Sequence, residues 1–243
     1  MENMTLKIYT HRAIQLLFIF ILLIGNTRSQ DYDVTIWGIP VGTAELQMIA
    51  DGEISFKLLS HELINYIYPI DLEYYSKFYK NNYTIIENKK TTKQKTEEQK
   101  FEAILNKGNI FVYDGKDSIS LEQNTHSLLS FLVKLMNSPV DSIDTKWFNL
   151  ENEGTLYETR FLLNDTTTIF IKNEDVLCDH YRLDLKILND DDKIFDKTDY
   201  FNELFFDINS VRQIWVDKWQ KQQRIIKITV KNNLINLTIA IKN

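Results

Sequence analysis

The stretch from Val34 to Met48 alternates apolar and polar side chains, and this pattern restricts the fold more than any other feature of the chain. Val34 and Ile36 alternate with Thr35 and Trp37, which is the period of two expected for a strand with one buried face and one wet face. We therefore interpret the later parts of the chain as further strands of the sheet that begins with this strand.

The alternation is interrupted by Gly38-Ile39-Pro40 and resumes at Val41. Because proline supplies no N–H to a ladder and glycine tolerates unusual dihedral angles, the tripeptide predicts a tight turn or a bend at a sheet edge. Beyond it, Gly42 and Ala44 leave a shallow spot on the apolar side of the strand. We expect a packed neighbouring side chain to fill that spot, since protein interiors are close-packed. A ligand that approaches the strand there is the alternative.

The amino terminus has the three parts of a secretory signal: basic residues at the front, an apolar run over Leu16–Gly25, and a polar exit that ends at Ser29. The run is shorter than the roughly 20 apolar residues of a membrane-spanning helix. We expect a signal peptide at residues 1–29, cleaved after Ser29, followed by a single β-rich domain over residues 30–243. An uncleaved anchor formed by residues 13–25 is the alternative.

The net charge and the number of cysteines indicate in which cellular compartment the protein functions and which classes of partner it binds. The formal net charge of −6 offers no electrostatic reason to bind nucleic acid or an anionic membrane surface. Cys178 is the single cysteine, so no internal disulfide can form, and an exported chain of this kind suits a bacterial periplasm. We expect a periplasmic protein with no nucleic-acid partner and no transmembrane segment in its mature part.

Alternating runs along most of the chain predict an antiparallel meander on both sides of one helix. The predicted strands lie at residues 53–58, 101–105, 110–113, 118–121, 146–150, 155–163, 167–172, 179–188, 212–217, 225–230 and 234–241. Asn164-Asp165 is interpreted as a hairpin turn between two of them. Residues 89–100 contain no apolar side chain, which predicts a solvated hairpin tip or a pair of exposed strand ends.

Aromatic side chains are concentrated between residues 66 and 83, at strand-like spacing around Pro69, and include Tyr74 and Phe78. Core and cross-strand packing is the preferred interpretation, because sheets favour aromatic residues. A stacking surface for a sugar or a lipid head group is the alternative.

Thr125–Met136 is the only segment for which the sequence predicts a helix. Leucine residues, among them Leu128 and Leu132, recur at the spacing of one helix face, and Asn124 or Thr125 can cap the first turn. We expect this amphipathic helix to bury its apolar face against the sheet.

Motifs of catalysis are absent: the sequence has no G-x-S-x-G, H-E-x-x-H, phosphate loop or C-x-x-C. Cys178 and His180 share one face of a predicted strand and can ligate a metal or form a thiolate pair. However, two ligands do not complete a metal centre, and a nucleophile needs its base held by a third group. We therefore expect no catalytic residue, no cofactor and no metal.

Other polar residues receive ordinary roles. Asn189–Asp192 lacks the spaced oxygens, central glycine and distal glutamate of an EF-hand loop, so we expect an acidic turn there. We expect His61 and His126 to be surface or capping residues.

Three short motifs carry a resemblance to a known family. They are the W-G-I-x-V-G-T-A strand at Trp37–Ala44, the N-x-x-S opening of the helix, and the I-W-V-D sequence at Ile214–Asp217 that precedes two β-runs. Together with the leader, they resemble the domain-of-unknown-function family 3108 of YmcC-like exported proteins. The resemblance implies a periplasmic, mostly antiparallel sheet that is curved or partly closed around a helix. The family has no established activity, so it implies no catalytic residues.

The sequence thus predicts a mainly β protein, a strongly curved antiparallel sheet or incomplete β-barrel with one amphipathic helix packed against it. We expect a non-enzymatic cell-envelope binding or assembly protein that shelters an apolar or glycan-like ligand, or an envelope-protein partner. A periplasmic hydrolase that uses Cys178 and His180, or the acidic turn, is the alternative. The candidate ligand-binding residues are Gly42, Ala44, Tyr74, Phe78, Leu128 and Leu132.

Overall fold

The computed structural model describes residues 28–67, 69–94, 97–189, 194–195, 197–217 and 223–242. Its strands form one antiparallel sheet in the order β8-β7-β6-β5-β4-β3-β2-β1-β14-β13-β12-β11-β10-β9. The strands are β1 (Arg28–Ile36), β2 (Ile39–Ala50), β3 (Glu53–Ser60), β4 (Ile70–Phe78), β5 (Ile85–Gln94), β6 (Glu97–Asn106), β7 (Ile110–Tyr113), β8 (Asp117–Ser120), β9 (Phe148–Asn152), β10 (Thr155–Ile171), β11 (Glu174–Ile187), β12 (Val211–Asp217), β13 (Arg224–Lys231) and β14 (Asn236–Ile241). The predicted mainly β, incompletely closed fold is confirmed.

The hairpin of β1 and β2 lies in the middle of this sheet. Trp37 and Gly38 form its turn with φ angles of 53° and 78°, the left-handed conformation that suits a two-residue hairpin turn. The predicted tight turn is therefore confirmed, but Ile39 and Pro40 belong to β2. The alternative of a bend at a sheet edge is wrong, because the turn joins two central strands.

The sheet is curved without closing into a barrel, and the segment of residues 122–127 spans the opening. The Ile85 N–H of β5 donates to the Thr125 carbonyl at 3.0 Å, while His126 exchanges backbone hydrogen bonds of 2.9 and 2.8 Å with Asn149 and Glu151 of β9. Strands from opposite halves of the sheet are thus held on the two sides of one extended segment.

Four helices are present in the described part of the chain: α1 (Glu62–Ile67), α2 (Leu128–Asn137), α3 (Val140–Ile143) and α4 (Tyr200–Phe206). Helix α2 is the predicted one, and most of its side chains are buried. The sequence missed the other three, because four to seven residues are too few to show a helical period. Tyr66, which we assigned to a strand, belongs to α1.

Helix α2 begins one turn later than expected. Ser127 is its N-cap: the Ser127 hydroxyl accepts from the Ser130 N–H at 3.1 Å, and the Ser130 hydroxyl accepts from the Ser127 N–H at 3.0 Å. This reciprocal pair is a capping box. Of the predicted caps, Asn124 lies in a turn with a φ angle of 60°, and the Thr125 carbonyl accepts from Ile85 of β5. Both residues precede the capping position, so neither caps the helix.

The main core lies between the concave face of the sheet and α2. At its centre the Phe131 ring of the helix stacks on the Phe161 ring of β10 with centroids 4.4 Å apart. Both side chains are fully buried. Phe161 in turn meets the Tyr181 ring of β11 edge to face at 6.0 Å, so the helix and the sheet share one aromatic column.

Strand β10 runs unbroken through Asn164, so the hairpin predicted there is wrong. The register shifts between Leu163 and Asp165, and such a bulge reverses the face on which later side chains lie. Beyond it, alternate side chains leave the main core for a small second cluster around Cys178 and Ile226. Asn164 therefore marks a bulge, a local feature that short polar residues signal as readily as a turn.

The charged segment at 89–100 forms the ends of β5 and β6, of which residues 95 and 96 lie outside the described part. Lys93 and Glu98 are exposed as expected. Lys90 and Thr92, however, are only 1% and 3% exposed. The expectation of a fully solvated segment is wrong at these two positions, because their side chains face the interior of the curved sheet.

Gly42 allows β2 and β3 to lie unusually close. A Cβ atom at this position would stand 2.4 Å from the Leu59 carbonyl oxygen. We expect Gly42→Ala to lower the free energy of unfolding by about 1–3 kcal/mol through overpacking, measured by urea denaturation. Ser118→Ala on the exposed strand β8 is the control, and an equal effect of the two variants would contradict the close approach.

Candidate functional site

A narrow cavity lies between the concave face of the sheet and helices α2 and α4. Its volume is ≈ 70 Å³. The lining is mostly apolar and becomes polar towards β5 and β9. The lining residues are Tyr32, Leu46, Phe56, Tyr74, Tyr75, Ser76, Asn88, Lys89, Phe101, Ser127, Leu128, Leu129, Leu132, Glu151, Asn152, Glu153, Phe201, Asn202, Phe205, Ile225, Ile228 and Ile239.

Three of the six candidate ligand-binding residues line this cavity: Tyr74, Leu128 and Leu132. The other three lie elsewhere. Ala44 and Phe78 are buried in the main core, and the space beside Gly42 is taken by the Leu59 backbone. The structure therefore brings together the helix residues and the central tyrosine, whereas the shallow spot on β2 is filled by its neighbouring strand.

The apolar wall of the cavity depends on α4, a helix that the sequence analysis missed. Phe201 stacks on Phe56 of β3 with centroids 5.4 Å apart and lies 6.1 Å from the Tyr74 ring. Asp199 caps this helix by accepting from the Asn202 N–H at 2.9 Å. One aspartate thus fixes the helix that supplies the aromatic wall.

Glu151 of β9 is the most deeply buried acid of the polar end. It is 1% exposed. Its Oε1 accepts from the Tyr113 hydroxyl and, at 2.9 Å, from the Gly154 N–H, and its Oε2 accepts from the Asn88 amide at 3.3 Å. Because burial penalises the charged carboxylate more than these donors favour it, the pKa of Glu151 rises to about 7.

Lys90 joins the two other acids of this end. Its ammonium forms ion pairs with Glu153 and, at 2.8 Å, with Asp199, and donates to the Thr198 hydroxyl at 3.0 Å. The Tyr74 hydroxyl donates to the same Asp199 carboxylate at 2.5 Å. Lys90, Glu153, Asp199 and the Tyr74 hydroxyl therefore form one buried polar network beside the cavity. Glu151 has its own hydrogen-bond partners and is coupled to this network by the nearby charge of Glu153. We call Lys90, Glu151, Glu153 and Asp199 the charge cluster.

Sequence reasoning missed the whole charge cluster. Lys90 lies 63 residues from Glu153 along the chain, and Asp199 lies farther still, so no local motif connects them. The one available signal was the period of two: Asn88, Lys90 and Thr92 continue the inward-facing positions of β5. Since all three side chains are polar, that signal is indistinguishable from a solvated strand end.

Cys178 and His180 lie on one face of β11 as expected, but in a different part of the molecule. Cys178 is fully buried in the second cluster, and burial raises the pKa of its thiol to about 12. The His180 ring stacks on Trp215 at 4.2 Å, and its Nδ1 lies 2.9 Å from an Asp165 carboxylate oxygen. A thiol with this pKa does not form the thiolate that a nucleophile requires at neutral pH.

His126 is not the surface residue that we expected. It is fully buried, with Nδ1 2.8 Å from the Tyr83 carbonyl oxygen and its ring stacked on Phe131. The extended segment carries it into the core, where burial lowers its pKa to about 4. His61 is exposed as predicted. Of the acidic turn only Asn189 is described, and Asp190–Asp192 lie outside the described residues.

The described residues include neither a cluster of metal-ligating side chains nor a membrane-spanning helix. They contain no group of three or more histidine, cysteine, aspartate or glutamate side chains arranged to hold a metal ion. None of their helices combines the length and the apolar character needed to cross a membrane.

The fold and the cavity define a barrel-like, mostly antiparallel β protein. No family model matches the chain, and no curated protein does. Among solved structures it is similar to a β-barrel-like protein of the domain of unknown function DUF1849 from Brucella abortus, with a TM-score of 0.56 and 8% identity over 88% of this chain and 95% of the other. The hypothetical lipoprotein YmcC from Escherichia coli (K12) matches with a TM-score of 0.38 and 11% identity over 88% of this chain and 83% of the other.

At 8% identity, the similarity to the first of these structures shows a shared fold alone. The first of these structures supports a barrel-like β fold, as the sequence predicted. The specific resemblance to family 3108 is not confirmed.

Removal of the Lys90 ammonium would leave the carboxylates of Glu153 and Asp199 buried without their cation. We expect Lys90→Met to lower the free energy of unfolding by about 3–5 kcal/mol, the usual cost of breaking a buried ion pair. Lys93→Met changes an exposed lysine of the same strand and should stay within about 0.5 kcal/mol of the wild type. Urea denaturation compares the two, and similar small effects would show that Lys90 is not buried between the acids.

Glu151 predicts a specific dependence of stability on pH. Because its pKa is about 7 in the folded chain against an ordinary 4.5, the folded chain keeps a proton that the unfolded chain releases between these values. The folded state therefore loses a few kcal/mol of stability as the pH rises through this window. Relative to wild type, Glu151→Gln should gain stability over the same window and remain constant above it, as measured by urea denaturation at a series of pH values.

The buried His126 acts in the opposite direction, because its lowered pKa makes the folded state less stable as the pH falls below 6.5. This contribution is common to wild type and variant, so it cancels in their difference. Glu174→Gln, at the exposed first residue of β11, serves as the control. A difference between Glu151→Gln and wild type that does not change with pH would contradict the burial of Glu151.

Proposed function

We propose that this chain is an exported cell-envelope protein that binds an apolar ligand in the cavity between α2 and the concave face of the sheet. The observation that carries the proposal is the form of the cavity: an apolar wall of aromatic and leucine side chains that ends at buried polar groups. Ligand sites commonly combine such a wall with a few polar groups that fix orientation.

An apolar ligand fits the aromatic residues better than a glycan does. The Phe201 ring is stacked on Phe56 and tilted against Tyr74 inside the cavity, so these rings contact one another and do not form an open platform for sugars. The small volume of the cavity favours a slender chain over a bulky ring system. An envelope-protein partner remains the second candidate, favoured by the exposed side chains of Trp37, Ile39 and Leu234 near the strand ends.

The hydrolase alternative has less support. The Cys178 thiol is buried with a pKa of about 12, and its Sγ donates to the Val176 carbonyl oxygen at 3.5 Å. Neither group of the proposed pair faces the cavity, since His180 and Cys178 belong to the opposite side of the sheet. We therefore propose a binding protein without catalytic residues.

Export by the leader at residues 1–29, with a periplasmic destination, is part of the proposal. Cleavage after Ser29 would remove Arg28 and Ser29 from β1 and keep Gln30. The Gln30 Oε1 accepts from the Tyr32 hydroxyl at 2.8 Å and from the Ile225 N–H at 3.1 Å. The new amino terminus would thus still be tied to β13.

A larger side chain at the first residue of α2, which lines the cavity, tests the proposed site. We expect Leu128→Trp to fill the cavity and to reduce the amount of lipid that co-purifies with the chain by about tenfold, since an apolar ligand loses roughly 0.8 kcal/mol for each CH₂ left unburied. Organic extraction of the purified full chain followed by mass spectrometry measures this. Leu234→Trp at an exposed leucine is the control. Equal extracts from the two variants, or an empty wild-type chain, would contradict the proposal.

A further inference from the structure

The charge cluster holds three carboxyl groups and only one ammonium group. Lys90 is shared between Glu153 and Asp199, and the third acid, Glu151, is held by the neutral donors of Tyr113, Gly154 and Asn88. When all three acids are ionised, the cluster carries excess negative charge out of contact with water. A buried charge without a partner is costly, so this end of the cavity favours a cation.

Two acids of the cluster, Glu151 and Glu153, line the cavity. The Glu151 Oε2 accepts only one long hydrogen bond from the Asn88 nitrogen among the described residues, and a carboxylate oxygen has room for a second donor. The polar end therefore offers an acceptor to whatever occupies the cavity.

Asn88 supplies an independent observation. Its amide nitrogen is turned towards the Glu151 carboxylate, which accepts hydrogen bonds, and this fixes the direction of the amide. Its Oδ1 is buried and has no hydrogen-bond partner among the described residues. Buried oxygen atoms in proteins nearly always have a donor. Asn88 lines the cavity, so a donor from a ligand would complete its hydrogen bonding.

We infer that the ligand is an amphiphile whose slender apolar chain lies along α2 and whose cationic amine meets Glu151 and Asn88. An ammonium group has three N–H donors and no acceptor, which matches a site formed by acceptors with excess negative charge. A fatty acid would bring a fourth carboxylate to the cluster, and a fatty alcohol would supply a donor without the charge. This inference rests on the proposed function, because it names the chemical class of the ligand of that cavity.

Titration calorimetry of the full chain with octylammonium, octanol and octanoate at about pH 8 tests the inference, since at that pH Glu151 is mostly ionised and the amine is protonated. The three probes have the same chain and differ in the head group. We expect octylammonium to bind about tenfold or more tightly than octanol, as a charge-assisted hydrogen bond requires. Octanoate should bind most weakly.

Glu151→Gln keeps the shape of the side chain and removes its charge. We expect it to weaken octylammonium binding about tenfold more than octanol binding, whereas the exposed Glu174→Gln control should preserve the order of the three probes. If Glu151→Gln does not fold, the order of the probes on the unmodified chain decides the question.

The outcomes separate the two proposals. Equal binding of the three probes, or tightest binding of octanol or octanoate, would overturn the amine assignment and leave the apolar cavity intact as a binding site. Absence of binding by all three would overturn the proposed function together with the assignment.

Discussion

The backbone hydrogen bonds of the segment at residues 122–127 hold the two halves of the curved sheet on either side of the core. Strand pairing alone leaves β8 and β9 as edges. The Thr125 carbonyl accepts from β5, and His126 is bonded to β9, so the segment links a strand inside one half of the sheet to the edge strand of the other half. It ends at Ser127, the cap of α2. The same segment therefore links β5 to β9 and places the helix over the concave face of the sheet.

The burial of the charge cluster follows from the way in which this segment holds β5 and β9. Lys90 on β5 and Glu153 after β9 meet because the two strands are held on either side of the same segment. Ion pairs of this kind do not by themselves make a protein more stable than apolar side chains would, because desolvation opposes the attraction. The cluster therefore adds no net stability over apolar side chains of the same size, and this agrees with the role proposed for its acids in the cavity. The raised pKa of Glu151 has the same cause, since burial beside another acid disfavours its ionised form.

The candidate site was predictable in part. The residues found from the sequence are those defined by local spacing, and the residues missed are those brought together from distant parts of the chain. Leu128 and Leu132 were found from helical spacing alone, since a helix face is a local property. Tyr74 was found as one of many aromatic residues, without a reason to prefer it to Phe78, which lies in the core. Glu151, Lys90 and Asp199 were missed because each is an ordinary polar residue in its own segment. They acquire a shared role only when three distant segments meet.

The sequence by itself determined most of the strands, the main helix and the turn at Trp37 and Gly38, because alternation, helical spacing and turn residues are short-range consequences of backbone geometry. Only the tertiary structure decided that Asn164 marks a bulge, that His126 is buried, and that a charged strand end carries an interior lysine. Each of these depends on which residues lie across the sheet, and that is set by strand order and curvature. The local pattern shows which face a side chain occupies, whereas the assembled sheet decides whether that face meets water, a ligand or another charge.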